Sequence, residues 1–168
     1  QMFDLTFDLS VQSYLLPLLA GACVYTVSYK EIKYQAVFAL FDEYHLTAAL
    51  MVPSVIHCLR PYMKEISIPE MRYSLFCGEA LNIDDAKAWY ECAPNASVWN
   101  MYGPTECTIY CTAYCMRVFG ADKQTNGNVS IGWAMPGVKT MVIDDKGIPC
   151  AAGVKGELCL AGAQLTSG

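Results

Sequence analysis

Positive charge is scarce in this chain. Only 11 of its 168 residues are Lys or Arg, against 16 Asp or Glu, for a formal net charge of −5. The cations are scattered, which argues against a nucleic-acid partner, because phosphates need clustered Lys and Arg. Charged residues make up 16% of the chain and apolar residues 54%, yet no apolar run reaches the roughly 20 residues that span a bilayer. The longest, Tyr14 to Val27, is broken by Pro17 and Gly21. It reads as a buried helix leading into a strand, so membrane insertion is not expected. There is no Cys-x-x-Cys pair, and His45 and His57 are remote from the series Cys107, Cys111, Cys115. Metal-ligand spacing is therefore missing. The nine cysteines are an odd number, and no signal peptide is recognisable. Reduced, largely buried thiols in a cytosolic protein fit better than a secreted disulfide framework.

What is present is an alternation. Val11 to Ala20 has helical character and leads to the strand-like Cys23–Val27; Glu31 to Tyr44 places Ile32, Val37, Phe38 and Phe41 near one helical face. Thr47–Val52 reads as a buried strand, Pro53 opens a helix to about Met63, and Arg72–Phe76 is a further strand. Asn82 or Asp84 caps a helix to about Cys92, and Ser97–Met101 is the next strand. This spacing indicates an α/β fold of parallel βαβ units flanked by helices, with right-handed crossovers. Gly120 to Asn128 is loop-like, and Val138–Ile143 and Glu157–Ala161 bracket the turn Asp144–Gly147 as the start of an antiparallel β unit. A boundary is expected near residues 120 to 130, dividing a parallel α/β part (1–125) from a partial β part (126–168). Gln1 stands just before a strand-like run and Gly168 directly after another. An excised segment is the expectation.

Ligands of open parallel sheets bind beyond the carboxyl ends of the strands. Three segments fall there: Met51-Val-Pro-Ser54, Cys77-Gly-Glu-Ala80 and Tyr102-Gly-Pro-Thr-Glu106. Tyr102 offers an aromatic plane for a purine, and Gly103 lets backbone approach a ligand. Thr105 has a hydroxyl suited to a phosphate oxygen, Glu106 is a hard oxygen ligand for Mg²⁺, and Asn100 carries both a donor and an acceptor. By residue type alone an ordinary strand-to-helix turn accounts for the same residues better than a ligand site does.

The string Asn100-x-Tyr-Gly-Pro-Thr-Glu106 resembles a signature of the adenylate-forming superfamily, in particular amino-acid adenylation domains and D-alanine–carrier protein ligases. Phe7-Asp-Leu-Ser10, Phe76-Cys-Gly-Glu-Ala-Leu81, Ile131-Gly-Trp-Ala-Met-Pro136 and Gly156-Glu-Leu-Cys-Leu-Ala-Gly162 resemble further segments of the large N-terminal domain, in the same order. The resemblance implies that Asn100, Met101, Tyr102 and Gly103 meet adenine, with Gly78, Glu79 and Ala80 on its other side. It implies Thr105 at the α-phosphate, Glu106 on Mg²⁺, and Asp8 on the substrate ammonium; Asp4 lies close enough in sequence to compete for that role. Leu9, Gln12, Leu50, Leu75, Cys77, Met101, Ile109 and Tyr110 would form a side-chain pocket for a small amino acid, D-alanine or another.

The implied reaction consumes ATP with Mg²⁺, forms an aminoacyl-adenylate, and passes the acyl group to the phosphopantetheine thiol of a carrier protein. The same resemblance puts the phosphate loop upstream of Gln1 and the ribose-binding Asp and catalytic Lys downstream of Gly168, so this chain by itself is expected not to adenylate. An acyl-CoA synthetase of the same superfamily, a non-catalytic adenylation-like module, and a cysteine-based redox or metal protein are the competing readings.

Overall fold

A computed structural model describes residues 1–119 and 124–167. Helix α1 (Asp8–Leu19) and helix α2 (Lys33–Tyr44) lead into strand β1 (Ala48–Met51), helix α3 (Pro53–Leu59), strand β2 (Tyr73–Phe76), helix α4 (Ile83–Cys92) and strand β3 (Ser97–Tyr102). Strand β4 (Thr112–Cys115), a short helix α5 (Met116–Phe119) and the strands β5 (Gln124–Thr125), β6 (Asn128–Val129) and β7 (Trp133–Ala134) follow. Among the described residues, strands β8 (Val138–Ile143) and β9 (Glu157–Gly162) pair only with each other.

The main sheet runs β1-β2-β3-β4-β7. β1, β2 and β3 are parallel, and their ends are level: Met51 lies opposite Phe76, and Phe76 opposite Asn100. β4 and β7 continue the sheet antiparallel. The expected α/β architecture is therefore present, with an antiparallel edge. Where a division was placed near 120–130, residues 120–123 lie outside the described residues. β7 still belongs to the main sheet, while β8 and β9 form a separate hairpin.

Local chemistry explains the elements. Asn82 caps α4, its Oδ1 accepting from the Asp84 and Asp85 backbone N–H groups at 2.8 and 3.3 Å. Buried Ile83, Ala86, Trp89 and Cys92 recur every third residue and face the sheet. Trp89 is fully buried beneath Phe76 in an edge-on contact (5.9 Å, 89°), and its indole N–H donates to Ser74 Oγ at 2.9 Å. Arg60 donates to the buried Asp85 carboxylate at 2.6 Å, tying the end of α3 to α4.

Several boundaries differ from the sequence reading. The helix expected to reach Met63 stops at Leu59 and tightens into a 3₁₀ turn, Arg60–Glu65; Pro61 lacks the N–H that an α-helix would need there. Cys23–Val27 forms no strand. Among the described residues it pairs with Gln1, whose amino group donates to the Tyr25 carbonyl and whose carbonyl accepts from the Val27 N–H. The strand expected after Gln1 is also absent, because Asp4 folds residues 4–6 into a turn by accepting from the Thr6 N–H and hydroxyl. In the stretch expected to be loop, Gln124–Val129 is a two-residue hairpin, with Asn126 and Gly127 at φ +52° and +74°. No helix among the described residues is long and apolar enough to cross a membrane.

Candidate active site

The three strand-end segments meet at one edge of the sheet. Gly78 turns the chain out of β2 at φ +92°, a conformation that side chains other than Gly rarely adopt. The turn brings Glu79 against α3, where its carboxylate accepts from the Ser54 N–H at 2.9 Å and hydroxyl at 3.2 Å. Beyond β2 and β3 lies a crevice of about 360 Å³ lined by Gly78, Glu79, Ala80, Asn100, Met101, Tyr102, Gly103, Asn128, Val129 and Ile131. That volume falls within the range of small-ligand sites.

Seven of these lining residues are the ones the resemblance assigned to adenine. Asn128, Val129 and Ile131 were missed, although Ile131 opens a segment that resembles the family. The β5–β6 hairpin, which carries Asn128 and Val129, is stitched to the β2–α4 connection by the bonds Val129 N–H to Leu81 O and Ile83 N–H to Gly127 O, both 2.8 Å. The buried Asn100 amide then donates to the Val129 and Ser130 carbonyls at 3.1 Å each. Both of its N–H groups hold the far wall, which leaves only the amide oxygen to face a ligand.

Gly103 is required by close packing. A Cβ there would stand 2.2 Å from Tyr110 Cα and 2.9 Å from Cys111 N. Thr105 and Glu106 follow on a single 3₁₀ turn and are exposed. After it, Thr108 and Ile109 take left-handed φ values of +51° and +70°, a strained conformation for β-branched residues. The chain beyond β9 clamps this loop. Thr108 Oγ1 donates to the Gln164 carbonyl (2.6 Å), Gln164 Nε2 to the Cys107 and Tyr110 carbonyls (3.4 and 3.2 Å), and Thr166 N–H to the Glu106 carbonyl (2.8 Å). Sequence reasoning gave Gln164 and Thr166 no role, since nothing local marks a contact across more than 50 residues.

A second cluster adjoins the crevice through Met101. Leu9, Cys77 and Met101 are buried together, with Leu50, Leu75, Ile109 and Tyr110 packed against them. Asp8, half-buried in the first turn of α1, reaches Cys77 electrostatically: burial first, then this carboxylate, pushes the thiol up to about 11. Gln12 reaches the Tyr110 phenol, whose pKa is raised chiefly by burial. The nine residues expected to form the amino-acid pocket are thus neighbours in space. Asp4 is exposed and spent on Thr6, which favours Asp8 as the carboxylate of this cluster.

Among the described residues no group of three His, Cys, Asp or Glu side chains could hold a metal. A lone exposed Glu106 nevertheless fits Mg²⁺, which takes one or two carboxylates and completes its shell with water and substrate phosphates.

The family model described as AMP-binding enzyme matches residues 1–168. The chain belongs to this family. Among its relatives, a D-alanine–D-alanyl carrier protein ligase of Lacticaseibacillus rhamnosus is 32% identical over 97% of this chain and 32% of its own length. A nonribosomal peptide synthetase, cm3A, of Cordyceps militaris is 30% identical over 100% of this chain and 3% of its own. The Vibrio cholerae adenylation domain AlmE, solved in complex with glycyl-adenosine-5'-phosphate, superposes with a TM-score of 0.85 at 35% identity, covering 99% of this chain and 32% of that one. This AMP-binding family member therefore spans about a third of the length of the ligase it matches.

Proposed function

We propose that the chain carries the adenine, Mg²⁺ and amino-acid side of an ATP-dependent ligase. The full-length protein would activate a small amino acid, D-alanine or another of its size, as the aminoacyl-adenylate. It would then pass the acyl group to the phosphopantetheine thiol of a carrier protein in the cytoplasm. The observation that carries this reading is the adjacency of two unlike sites across Met101. One is an open, backbone-lined crevice; the other is a closed apolar cluster with a carboxylate at its rim. The names of the relatives, a D-alanine ligase and a glycyl-adenylate complex, support a small amino acid. We also propose a structural division between an α/β part (1–125) and a β part (126–168), whose β8–β9 hairpin pairs outside the main sheet although β7 remains within it.

Each residue then has a task. Tyr102 gives adenine a face to stack on, and Gly78, Ala80 and Gly103 let the base lie against backbone. Asp8 holds the substrate ammonium, which a carboxylate in a partly desolvated site binds strongly and a neutral acyl chain does not supply. Fixing the ammonium aims the substrate carboxylate, already ionised, at the α-phosphorus, so no side chain need act as a base. Thr105 donates to an α-phosphate oxygen, and Glu106 would hold Mg²⁺, which supplies charge neutralisation on the phosphates when bound.

The test is amino-acid-dependent ATP–pyrophosphate exchange by the full-length protein, with D- and L-alanine first and fatty acids as the contrast. Asp8→Ala should raise the amino-acid KM on the order of 10- to 100-fold and leave the ATP KM near its original value. An unchanged amino-acid KM removes Asp8 from its role. Exchange driven by fatty acids and not by amino acids sinks the whole reading. The 168-residue chain by itself should show no exchange.

A further inference from the structure

The loop between β3 and β4 has two ends, and they are anchored differently. At the far end Ile109 and Tyr110 pack in the cluster, and the Cys111 N–H donates to the Tyr102 carbonyl at 2.8 Å. At the near end Thr105 and Glu106 are exposed, so backbone rather than side-chain packing places them. Between the two, the left-handed Thr108 and Ile109 cost energy, and such a bend persists only where its neighbours hold it. The half-buried Gln164, 54 residues beyond Tyr110, does the holding. Its Nε2 donates to the carbonyl before the bend (Cys107, 3.4 Å) and to the one after it (Tyr110, 3.2 Å), matching the two N–H groups of a carboxamide. Its backbone carbonyl accepts from the Thr108 hydroxyl at 2.6 Å, on the bend itself.

We propose that Gln164 is a positioning residue for adenylate formation: by bridging the Cys107 and Tyr110 carbonyls it fixes the loop in the shape that presents Thr105 to the α-phosphate and Glu106 to Mg²⁺. This rests on the roles proposed for Thr105 and Glu106. Gln164 lines neither the crevice nor the cluster, so it acts on rate rather than on affinity. Reacting groups displaced by about 1 Å from attack geometry lose about 10²-fold in rate. Without the bridge, the far end keeps its packing in the cluster and its bond to Tyr102, so the amino acid still binds. The near end keeps the buried Cys107 and the Thr166 N–H on the Glu106 carbonyl. Neither of these constrains the bend that follows.

The experiment compares the full-length protein with its Gln164→Met variant, which keeps the length of the side chain and loses both donors. Amide hydrogen exchange over residues 105–110, without nucleotide or Mg²⁺, should quicken about tenfold or more, while that of α4 stays as it was. In amino-acid-dependent pyrophosphate exchange, kcat should fall about tenfold or more, and the KM values for ATP and amino acid should stay within about threefold. The Mg²⁺ concentration giving half the maximal rate should rise. Thr108→Val removes only the hydroxyl bonded to the Gln164 carbonyl. It should show the same pattern at about threefold, and it decides the matter where Gln164→Met fails to fold. Unchanged hydrogen exchange in the loop, or an unchanged kcat, overturns the proposal. A raised amino-acid KM at unchanged kcat also overturns it, since Gln164 would then serve the pocket. So does a fall in kcat with the Mg²⁺ requirement unaltered, because Glu106 would not have moved. Absence of pyrophosphate exchange with every amino acid by the unmodified protein overturns the reading of the site itself, a distinct outcome from activity that ignores Gln164.

Discussion

The crevice and the cluster share Met101 and the same strand ends, yet they are made of different things. Backbone shapes the crevice: a left-handed Gly78, a Gly103 with no room for a Cβ, and an Asn100 whose amide holds a neighbouring wall. Side chains shape the cluster: Leu9, Cys77 and Met101 fill it, and its polar atoms sit on α1 and the loop after β3. A backbone-built site tolerates few residue types, because each glycine or amide answers a geometric demand. A side-chain-built site keeps its shape through many substitutions of similar volume. The first kind can be identified from a motif, whereas the second shows only where residues come together.

Both regions stand on one floor, and the largest effect should come from removing it. Trp89 is fully buried under β2, touches Phe76 and Phe41, and bonds Ser74. Trp89→Ala should cost about 3–5 kcal/mol, and it leaves the buried Ser74 hydroxyl without its donor. Urea unfolding would measure the loss. A cost below about 1 kcal/mol would mean that the sheet does not rest on this residue, and the two regions would then need separate supports.

Gly103→Ala tests whether the regions are separable at all. The added carbon meets backbone of Tyr110 and Cys111 rather than a mobile side-chain tip. The loop carrying Ile109 and Tyr110 must therefore shift, at a cost of about 1–3 kcal/mol. Because Gly103 lines the crevice and Tyr110 belongs to the cluster, this single methyl should weaken both ATP and amino-acid binding by the full-length protein. A variant that loses ATP affinity alone would show the loop to be looser than its clamp by Gln164 and Thr166 implies.

Those two regions also mark how far the sequence could be read. Strands β1, β2 and β3, the Asn82 cap and the strand-end segments were legible because each has a local cause: apolar runs, a capping side chain, a turn glycine. The antiparallel strand β4 was not, since Thr112–Cys115 owes its strand state to pairing with β3 and β7. Cys107, Cys111 and Cys115 were read as buried thiols, and all three are buried. Their spacing, however, hid the strand that Cys115 ends. Cys23–Val27 failed in the opposite sense: its residues favour a strand, but a strand requires a ladder partner. Asn100 was expected to face adenine by type, and only the structure shows both of its N–H groups engaged across 29 and 30 residues.

Alkaline pH should act on the cluster, which holds Cys77, and on the loop behind it, where Cys111 packs with Cys107 and Val138, and not on the crevice, whose lining has no thiol. Folding holds Cys77 at about 11 against an ordinary 9.0, chiefly by burial, and Cys111 at about 11 for the same first reason with Cys107 adding to it. Between those values the unfolded chain has released protons that the folded chain keeps. The contribution is therefore fully present below about pH 9 and is lost as pH rises through 11. Urea midpoints should fall across that window, and Cys77→Ala should flatten part of the slope. An unaltered slope in a Cys77→Ala, Cys111→Ala double variant would assign it to other groups. At pH 8, a thiol reagent should modify the exposed Cys23 and Cys58 well before Cys77.

The smallest effect bears on a residue that belongs to the crevice by position and to the scaffold by chemistry. Glu79 lines the crevice, yet both its carboxylate oxygens are bonded to Ser54, on the N–H and on the hydroxyl, at the start of α3. A carboxylate at a helix start also gains from the partial positive charge there, though solvent screens an exposed group. Glu79→Ala should then cost about 0.5–1 kcal/mol, in the range of a lost cap. Glu79→Gln keeps an acceptor oxygen without the charge and should lose only a few tenths. Neither should change ATP affinity of the full-length protein by more than about twofold, because the carboxylate is turned toward α3. If Glu79→Gln lowered ATP affinity strongly and left the urea midpoint in place, the carboxylate would have to leave Ser54 when the nucleotide binds. The crevice would then be shaped partly by a side chain, and the contrast with the cluster would narrow to Gly78, Gly103 and the Asn100 amide.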